Sequence, residues 1–268
     1  MTQTKPATLD AGTPSVPPER GDRKPLPQYS LLGILGVWAG AAAPMAALAW
    51  LGVPWLAGAF DGPVAWPQAI LVCLTAGLVW QFLLVMILVR REQGTLRWSV
   101  LKDALWLRAP VSPKTGRKGG LLWLLLIPLA LLVFLREELP KLPAPDGRDL
   151  GEFLQSTVGM EFFSGNWTWF ALVLVMQVFN TVLGEELLFR GLLLPRMQGV
   201  FGRRDWLANG ILFALYHLHV PWAIPGRLVN AFILSWPSRR YRSALLGIFA
   251  HSTQSVVFAI LLLMLVLK

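Results

Sequence analysis

Long apolar blocks separated by short polar segments set the organisation of this chain. The blocks run over Leu31 to Leu51, Gln68 to Val89, Leu121 to Leu135, Trp167 to Pro195, Trp206 to Val220, Ile224 to Trp236 and Ala244 to Leu267. A helix needs about 20 apolar residues to cross the hydrocarbon core. Backbone polar groups in lipid must be satisfied within the segment, so such blocks read as helices. The pattern predicts an all-α polytopic transmembrane helix bundle of about seven spans (six to eight); the fifth and sixth blocks are short enough for a re-entrant or tilted course. As a straight helix the Trp167–Pro195 block would be ~43 Å long. It therefore has to tilt, bend near Gly184 or Gly191, or project beyond the bilayer.

Composition supports that reading. The chain has 268 residues, 55% of them hydrophobic and 15% charged, with a mean hydropathy of +0.55. A soluble domain carries about 25% charged residues. The net charge of +9 could suggest nucleic acid, but the Lys and Arg residues occupy the segments between blocks. That placement excludes a nucleic-acid partner and follows the positive-inside distribution. Between Arg90 and Lys118 there are eight basic and two acidic residues, which marks this side as cytoplasmic. Within this segment Trp98, Leu101 and Leu105 recur at helical spacing, as in a helix lying in the inner interface. Arg136 to Glu161 is acidic and broken by Pro140, Pro143 and Pro145, as suits an outer loop.

This places the protein in the cell (plasma) membrane with its N-terminus cytoplasmic. Residues 1–29, rich in Pro, Thr and charge, read as a disordered cytoplasmic tail. Residues 30–150 form the N-terminal transmembrane helices with their basic inner loop. The single cysteine, Cys73, sits mid-block and packs as a small apolar group. No internal repeat supports an inverted-repeat transporter.

The candidate chemistry lies where lipid tolerates it least. Gly184-Glu185-Glu186-Leu187-Leu188-Phe189-Arg190-Gly191 puts two carboxylates and a guanidinium inside an apolar block. Each such charge costs at least ~3 kcal/mol at the centre of a span. Glu186 and Arg190 stand four apart on one helical face and can neutralise each other. Glu185 lies about 100° around the helix and must find its partner elsewhere in the chain. All three histidines fall in the last third: His217 follows Phe213 by four residues, and Ser255 follows His251 by four. His219, two residues beyond His217, points away from it in a helix, toward the outer interface. Three polar stripes on three helices should therefore converge away from lipid. Gln177, Asn180 and the run Ser252, Thr253, Gln254 are either packing groups or lining groups.

A carboxylate beside an imidazole can take a proton from water. A second imidazole with a hydroxyl can donate to an oxyanion. One Glu with two His can instead hold zinc with an open fourth position, but the chain lacks a His-Glu-x-x-His helix.

These motifs, Glu185-Glu186-x-x-x-Arg190, Phe213-x-x-x-His217 and His251-x-x-x-Ser255, resemble those of the CPBP intramembrane proteases. That family contains type II CAAX prenyl endopeptidases and lysostaphin-resistance-type proteins. The resemblance runs from about Trp167 to the C-terminus and implies a catalytic helix bundle over residues 160–268. It implies endoproteolysis of a membrane protein or peptide, with Glu185 activating water assisted by His217. It further implies that His251 binds the oxyanion, and that Glu186, Arg190 and Phe213 order the site. Ser255 stands where the family carries Asn, and a hydroxyl offers one donor where an amide offers two. No cofactor is favoured; if zinc is used, Glu185, His217 and His251 would hold it. The alternative is a catalytically impaired binding or immunity protein on the same scaffold. A proton-coupled carrier is a third reading. The site is placed toward the cytoplasmic half, because Arg190 and Arg196 follow Glu185 closely.

Overall fold

The structure, a computed structural model, describes residues 26–137, 139, 142–145 and 147–268. Residues 1–25 of the expected tail lie outside the described residues. Of the described residues 78% are helical, and among them no strand occurs. An isolated bridge joins Val111 and Lys118 in the basic segment. The all-α polytopic architecture read from the hydrophobic pattern is the one found.

Four helices are long and apolar enough to span a membrane: Leu31–Ala57, Gly62–Gln93, Trp167–Arg196 and Ala244–Val266. Gly120–Arg136 is a shorter apolar helix. The fifth and sixth apolar blocks form shorter pieces: a helix over Asp205–Tyr216, then a broken course through Ile224–Arg227, Ala231–Ser235 and Trp236–Arg240. Local chemistry explains several boundaries. Ser30 caps the first helix by accepting from Gly33 N at 3.1 Å, and Gly94, at φ 73°, ends the second in the left-handed conformation that glycine adopts without steric cost.

Large apolar side chains are turned outward along several of these helices, among them Ile127, Leu131, Ile260 and Met264, each more than half exposed. In water so much exposed apolar surface would be a liability; in lipid it is the solvent-facing surface. The interior core runs through Leu71, Val85, Leu188, Phe189 and Phe213. Trp98–Ala104 forms a short helix in the basic segment, as its periodicity predicted.

The helix carrying Glu185 is not regular. It is α-helical over Trp167–Val178, π-helical over Phe179–Gly184 and again over Leu187–Leu193, and closes with a 3₁₀ turn at Leu194–Arg196. Such wide turns are rare and gather at functional positions. Here they flank Glu185 and Glu186 on both sides. Gly184 is needed because a Cβ there would lie 3.2 Å from the Leu78 carbonyl and 2.5 Å from that of Phe179. The glycine lets the Gly62–Gln93 helix press directly against the turn that presents Glu185.

At the other end of the same helix Arg196 is completely buried. Its guanidinium reaches Glu92 at 2.6 Å and the carbonyls of Ala104 and Leu192 at 3.0 and 2.8 Å. Gln28 and Tyr29, assigned to the tail from sequence, are joined to this corner: Gln28 Nε2 donates to the Pro195 carbonyl at 3.0 Å, and the Tyr29 hydroxyl donates to Glu92. Burial, with the Glu92 carboxylate beside it, holds the Tyr29 phenol above its ordinary pKa.

Candidate functional site

The Glu-Glu turn, the end of the Asp205–Tyr216 helix and the first half of the Ala244–Val266 helix meet around a cavity of about 300 Å³. Glu185, His217, His251 and Ser255 all line it, with Gln177 and Asn180 on its wall. The three polar stripes read from sequence therefore do converge. Glu185 is 3% exposed, and its Oε1 lies 3.8 Å from His217 Nε2. That gap is too long for a direct hydrogen bond and suits a water between them. His217 Nδ1 sits 2.8 Å from the Phe213 carbonyl. A carbonyl only accepts, so Nδ1 carries the hydrogen and the Nε2 lone pair faces Glu185.

His251 is bound differently. Its Nδ1 is 3.0 Å from Glu186 Oε1, the same oxygen that Arg190 Nη1 reaches at 2.9 Å. Glu186 and Arg190 are both fully buried, and the i,i+4 pairing anticipated from sequence is present. The Arg190 guanidinium also lies 4.1 Å from the centre of the Phe213 ring, a cation–π contact that is strongest when water is excluded. Phe213 thus touches two parts of the site: its ring carries Arg190 and its carbonyl fixes the His217 tautomer. Gly247 supplies the room, since a Cβ there would fall 2.5 Å from Glu186 Oε2 and 3.3 Å from Arg190 Cγ.

Ser255 Oγ lies 3.3 Å from Thr181 Oγ1, which itself donates to the Gln177 carbonyl at 3.1 Å. With Thr181's hydrogen so committed, the Ser255 hydroxyl donates into the wall of the cavity and not toward its centre.

His219 departs from the sequence reading. It lines the cavity and stacks on His217, with ring centroids 5.4 Å apart and planes at 27°. The helix ends at Tyr216 and His217 is its C-cap, with ψ at 38°. The helical angle between positions 217 and 219 therefore no longer applies, and the chain turns back.

Sequence reasoning also missed Arg136, which it placed at the start of the outer loop. The side chain is 4% exposed and donates to Asn230 Oδ1 at 2.7 Å and Gln254 Oε1 at 2.9 Å. The signal was its position at the end of an apolar block, one helical turn beyond Val133, which packs in the core. Tyr216, which accepts from Gln81, was likewise not singled out.

Among the described residues no group of three or more His, Cys, Asp or Glu is spaced to hold a metal ion. The Nδ1 atoms of His217 and His251 are engaged on the Phe213 carbonyl and Glu186, which leaves the Nε2 atom of each ring as its second nitrogen.

The fold and the cavity define an integral membrane protein of the helix-bundle class, with the Glu185 carboxylate and three imidazoles lining the cavity. Residues 167–257, about a third of the chain, match the family described as Type II CAAX prenyl endopeptidase Rce1-like, in agreement with the resemblance its three motifs suggested. The matched segment contains Glu185, Glu186, Arg190, Phe213, His217, His251 and Ser255. No curated protein and no solved structure gave a match. At the level of the family the match supports an intramembrane endopeptidase acting on a peptide substrate.

Proposed function

We propose that this protein hydrolyses a peptide bond in a membrane-associated protein or peptide, using Glu185 as the general base for a water held between Glu185 and His217. The observation that carries the reading is the 3.8 Å separation of Glu185 Oε1 from His217 Nε2 across the cavity. Both atoms accept, so a water between them would direct its two hydrogens at them and a lone pair toward a substrate carbonyl. On attack the water oxygen bonds to the carbonyl carbon and its proton passes to Glu185. Collapse of the tetrahedral adduct breaks the C–N bond, and Glu185 returns the proton to the leaving amine.

His251 is the candidate oxyanion donor. With Nδ1 bound to Glu186, Nε2 is the ring nitrogen left to face the cavity, and it donates to the oxyanion when the ring carries a second proton. Arg190, held by Glu186 and Phe213, acts as a positioning residue by keeping that carboxylate in place.

The alternative, a binding or immunity protein on this scaffold, draws on the Ser255 hydroxyl, which is directed at Thr181 and so leaves one oxyanion donor fewer. The two readings separate in one experiment. The protein is reconstituted in liposomes with a library of transmembrane and juxtamembrane peptides, and fragments are read by mass spectrometry. Cleavage reduced about 10²–10⁴-fold in Glu185→Gln and His217→Ala, with both variants folded, supports the endopeptidase. Peptides bound but intact in the native protein and in both variants support the binding protein.

A further inference from the structure

At the basic end of the bundle a groove of about 720 Å³ lies apart from the Glu185 cavity. Ser112 and its neighbours in the basic segment form one wall, and Arg203, Trp206, Trp236, Arg240 and Arg242 form the rest. The walls are tied together before any ligand arrives. The Val111 amide donates to the Tyr241 carbonyl and Arg108 Nε to the Arg242 carbonyl, both at 2.9 Å, while Ser243 Oγ donates to the Arg108 carbonyl at 2.6 Å. Arg242 holds φ at 50°, a left-handed conformation uncommon outside glycine. Backbone held in this way gathers at binding sites.

The charge of the groove is one-sided. Among the described residues no acidic side chain lines it. Arg239 is taken up by the buried Asp205, whereas Arg203, Arg240 and Arg242 are exposed. Residues 1–25 carry four basic and three acidic side chains, so the tail brings no net negative charge to offset them. Ser112 Oγ accepts from the Thr115 amide at 3.2 Å, which leaves its hydrogen to donate. Guanidinium forks match phosphate oxygens in geometry as well as charge. The flank of the groove is apolar and faces outward: Phe232 is 62% and Trp236 43% exposed, and Phe232 packs on Trp206 with centroids 5.3 Å apart. Arg242 stands two positions before the Ala244–Val266 helix, so the groove sits where the bundle passes from polar to apolar surroundings. Tryptophan is enriched at that level. A free phosphate has no use for the apolar flank, but acyl chains do.

We propose that this groove binds the headgroup of an anionic phospholipid, with the acyl chains lying along Phe232 and Trp236. Arg203, Arg240 and Arg242 together carry more positive charge than one phosphodiester neutralises, so a lipid with two phosphates is preferred to a lipid with one. Ser112 donates to a phosphate oxygen beside them. Basic pockets between the ends of membrane helices suit such headgroups. The proposal is independent of the endopeptidase reading, since binding is measured without a peptide.

The test is lipid binding to the full-length protein in delipidated detergent, read by native mass spectrometry. Cardiolipin, phosphatidylglycerol and phosphatidylcholine are the probes. Cardiolipin should bind at least about tenfold more tightly than phosphatidylcholine, with phosphatidylglycerol between them. Combining Arg203→Gln, Arg240→Gln and Arg242→Gln should bring cardiolipin to within about twofold of phosphatidylcholine. Arg240→Gln alone, at an exposed position where folding is not at stake, should weaken cardiolipin about fivefold. The charge-matched control, Lys114→Gln with Arg117→Gln and Lys118→Gln, removes the same charge from residues that do not line the groove and should leave the preference within about twofold. Equal losses in the two triple variants, or no preference over phosphatidylcholine in the native protein, overturns the proposal. Displacement of cardiolipin by millimolar inorganic phosphate overturns the lipid as the source of the phosphate. Equal affinity for phosphatidylglycerol and cardiolipin overturns the two-phosphate preference.

Discussion

His251 Nδ1 and Arg190 Nη1 converge on one oxygen, Oε1 of Glu186, at 3.0 and 2.9 Å. The second of the two adjacent carboxylates thereby becomes the anchor of the cavity wall and leaves Glu185 as the carboxylate beside His217. A buried ion pair is weak support for stability, but removing one partner leaves an uncompensated charge.

Glu186→Gln keeps the side-chain shape and strips the charge from the pair. The expected cost is about 3–5 kcal/mol, because Arg190 stays fully buried without its counter-ion. The measurement is the thermal midpoint of the detergent-solubilised protein. Glu186→Gln combined with Arg190→Met should recover much of that loss; a double variant as unstable as the sum of the singles would show that the two side chains are not coupled.

Gly247→Ala tests the same anchor from the opposite wall. The added methyl would fall 2.5 Å from Glu186 Oε2 and 3.1 Å from Ser238 Oγ, so the ion pair has to move. Overpacking of this kind costs about 1–3 kcal/mol, and the displaced His251 should lower cleavage as well. Gly36→Ala is the control, since nothing lies within 4 Å of its Cβ position. There the change should be neutral or stabilising by up to about 1 kcal/mol, as expected for Gly to Ala within a helix. Equal effects at the two glycines would rule out crowding of Glu186 as the cause.

Much of this arrangement was legible in the sequence. A charge in an apolar block has few acceptable environments, so Glu186 with Arg190, and the convergence of Glu185 with His217 and His251, followed from spacing and from the cost of lipid exposure. What was not legible depends on contacts distant in sequence or on departures from ideal helical angles. His219 faces the cavity because the helix stops at Tyr216. The π-helical turns flank Glu185 where the Leu78 carbonyl would lie 3.2 Å from a Cβ at Gly184, a contact distant in sequence that local periodicity does not encode. Arg136 is drawn inward by Asn230 and Gln254, both more than ninety positions away. The cytoplasmic-half placement of the site was read from Arg190 and Arg196, whose side chains are both buried in packing.

Ser255→Ala discriminates between two uses of the hydroxyl. An oxyanion donor is worth about 10²–10³ in rate. A hydroxyl that donates to Thr181 at 3.3 Å supports the wall, and its loss should lower cleavage less than about tenfold. Ser255→Asn, which restores the residue of the resembled motif, should raise the rate if the amide reaches past Thr181 into the cavity. Rates are read as kcat on a peptide identified from the library. A fall of two orders of magnitude in Ser255→Ala would assign the hydroxyl to the oxyanion instead.

Metal dependence yields to a direct measurement. Zinc takes nitrogen and oxygen ligands at about 2.0–2.2 Å in tetrahedral geometry. Among the described residues no three donors are spaced around a common point. A water activated by Glu185 alone needs no Lewis acid, so exhaustive treatment with EDTA and 1,10-phenanthroline should leave cleavage within about twofold of the untreated rate. Inductively coupled plasma mass spectrometry of the purified protein should likewise show zinc far below one equivalent. A chelated protein that loses at least about a hundredfold in activity and regains it with added zinc would assign the ion to Glu185 and the Nε2 atoms of His217 and His251, with the Nδ1 contacts orienting the rings.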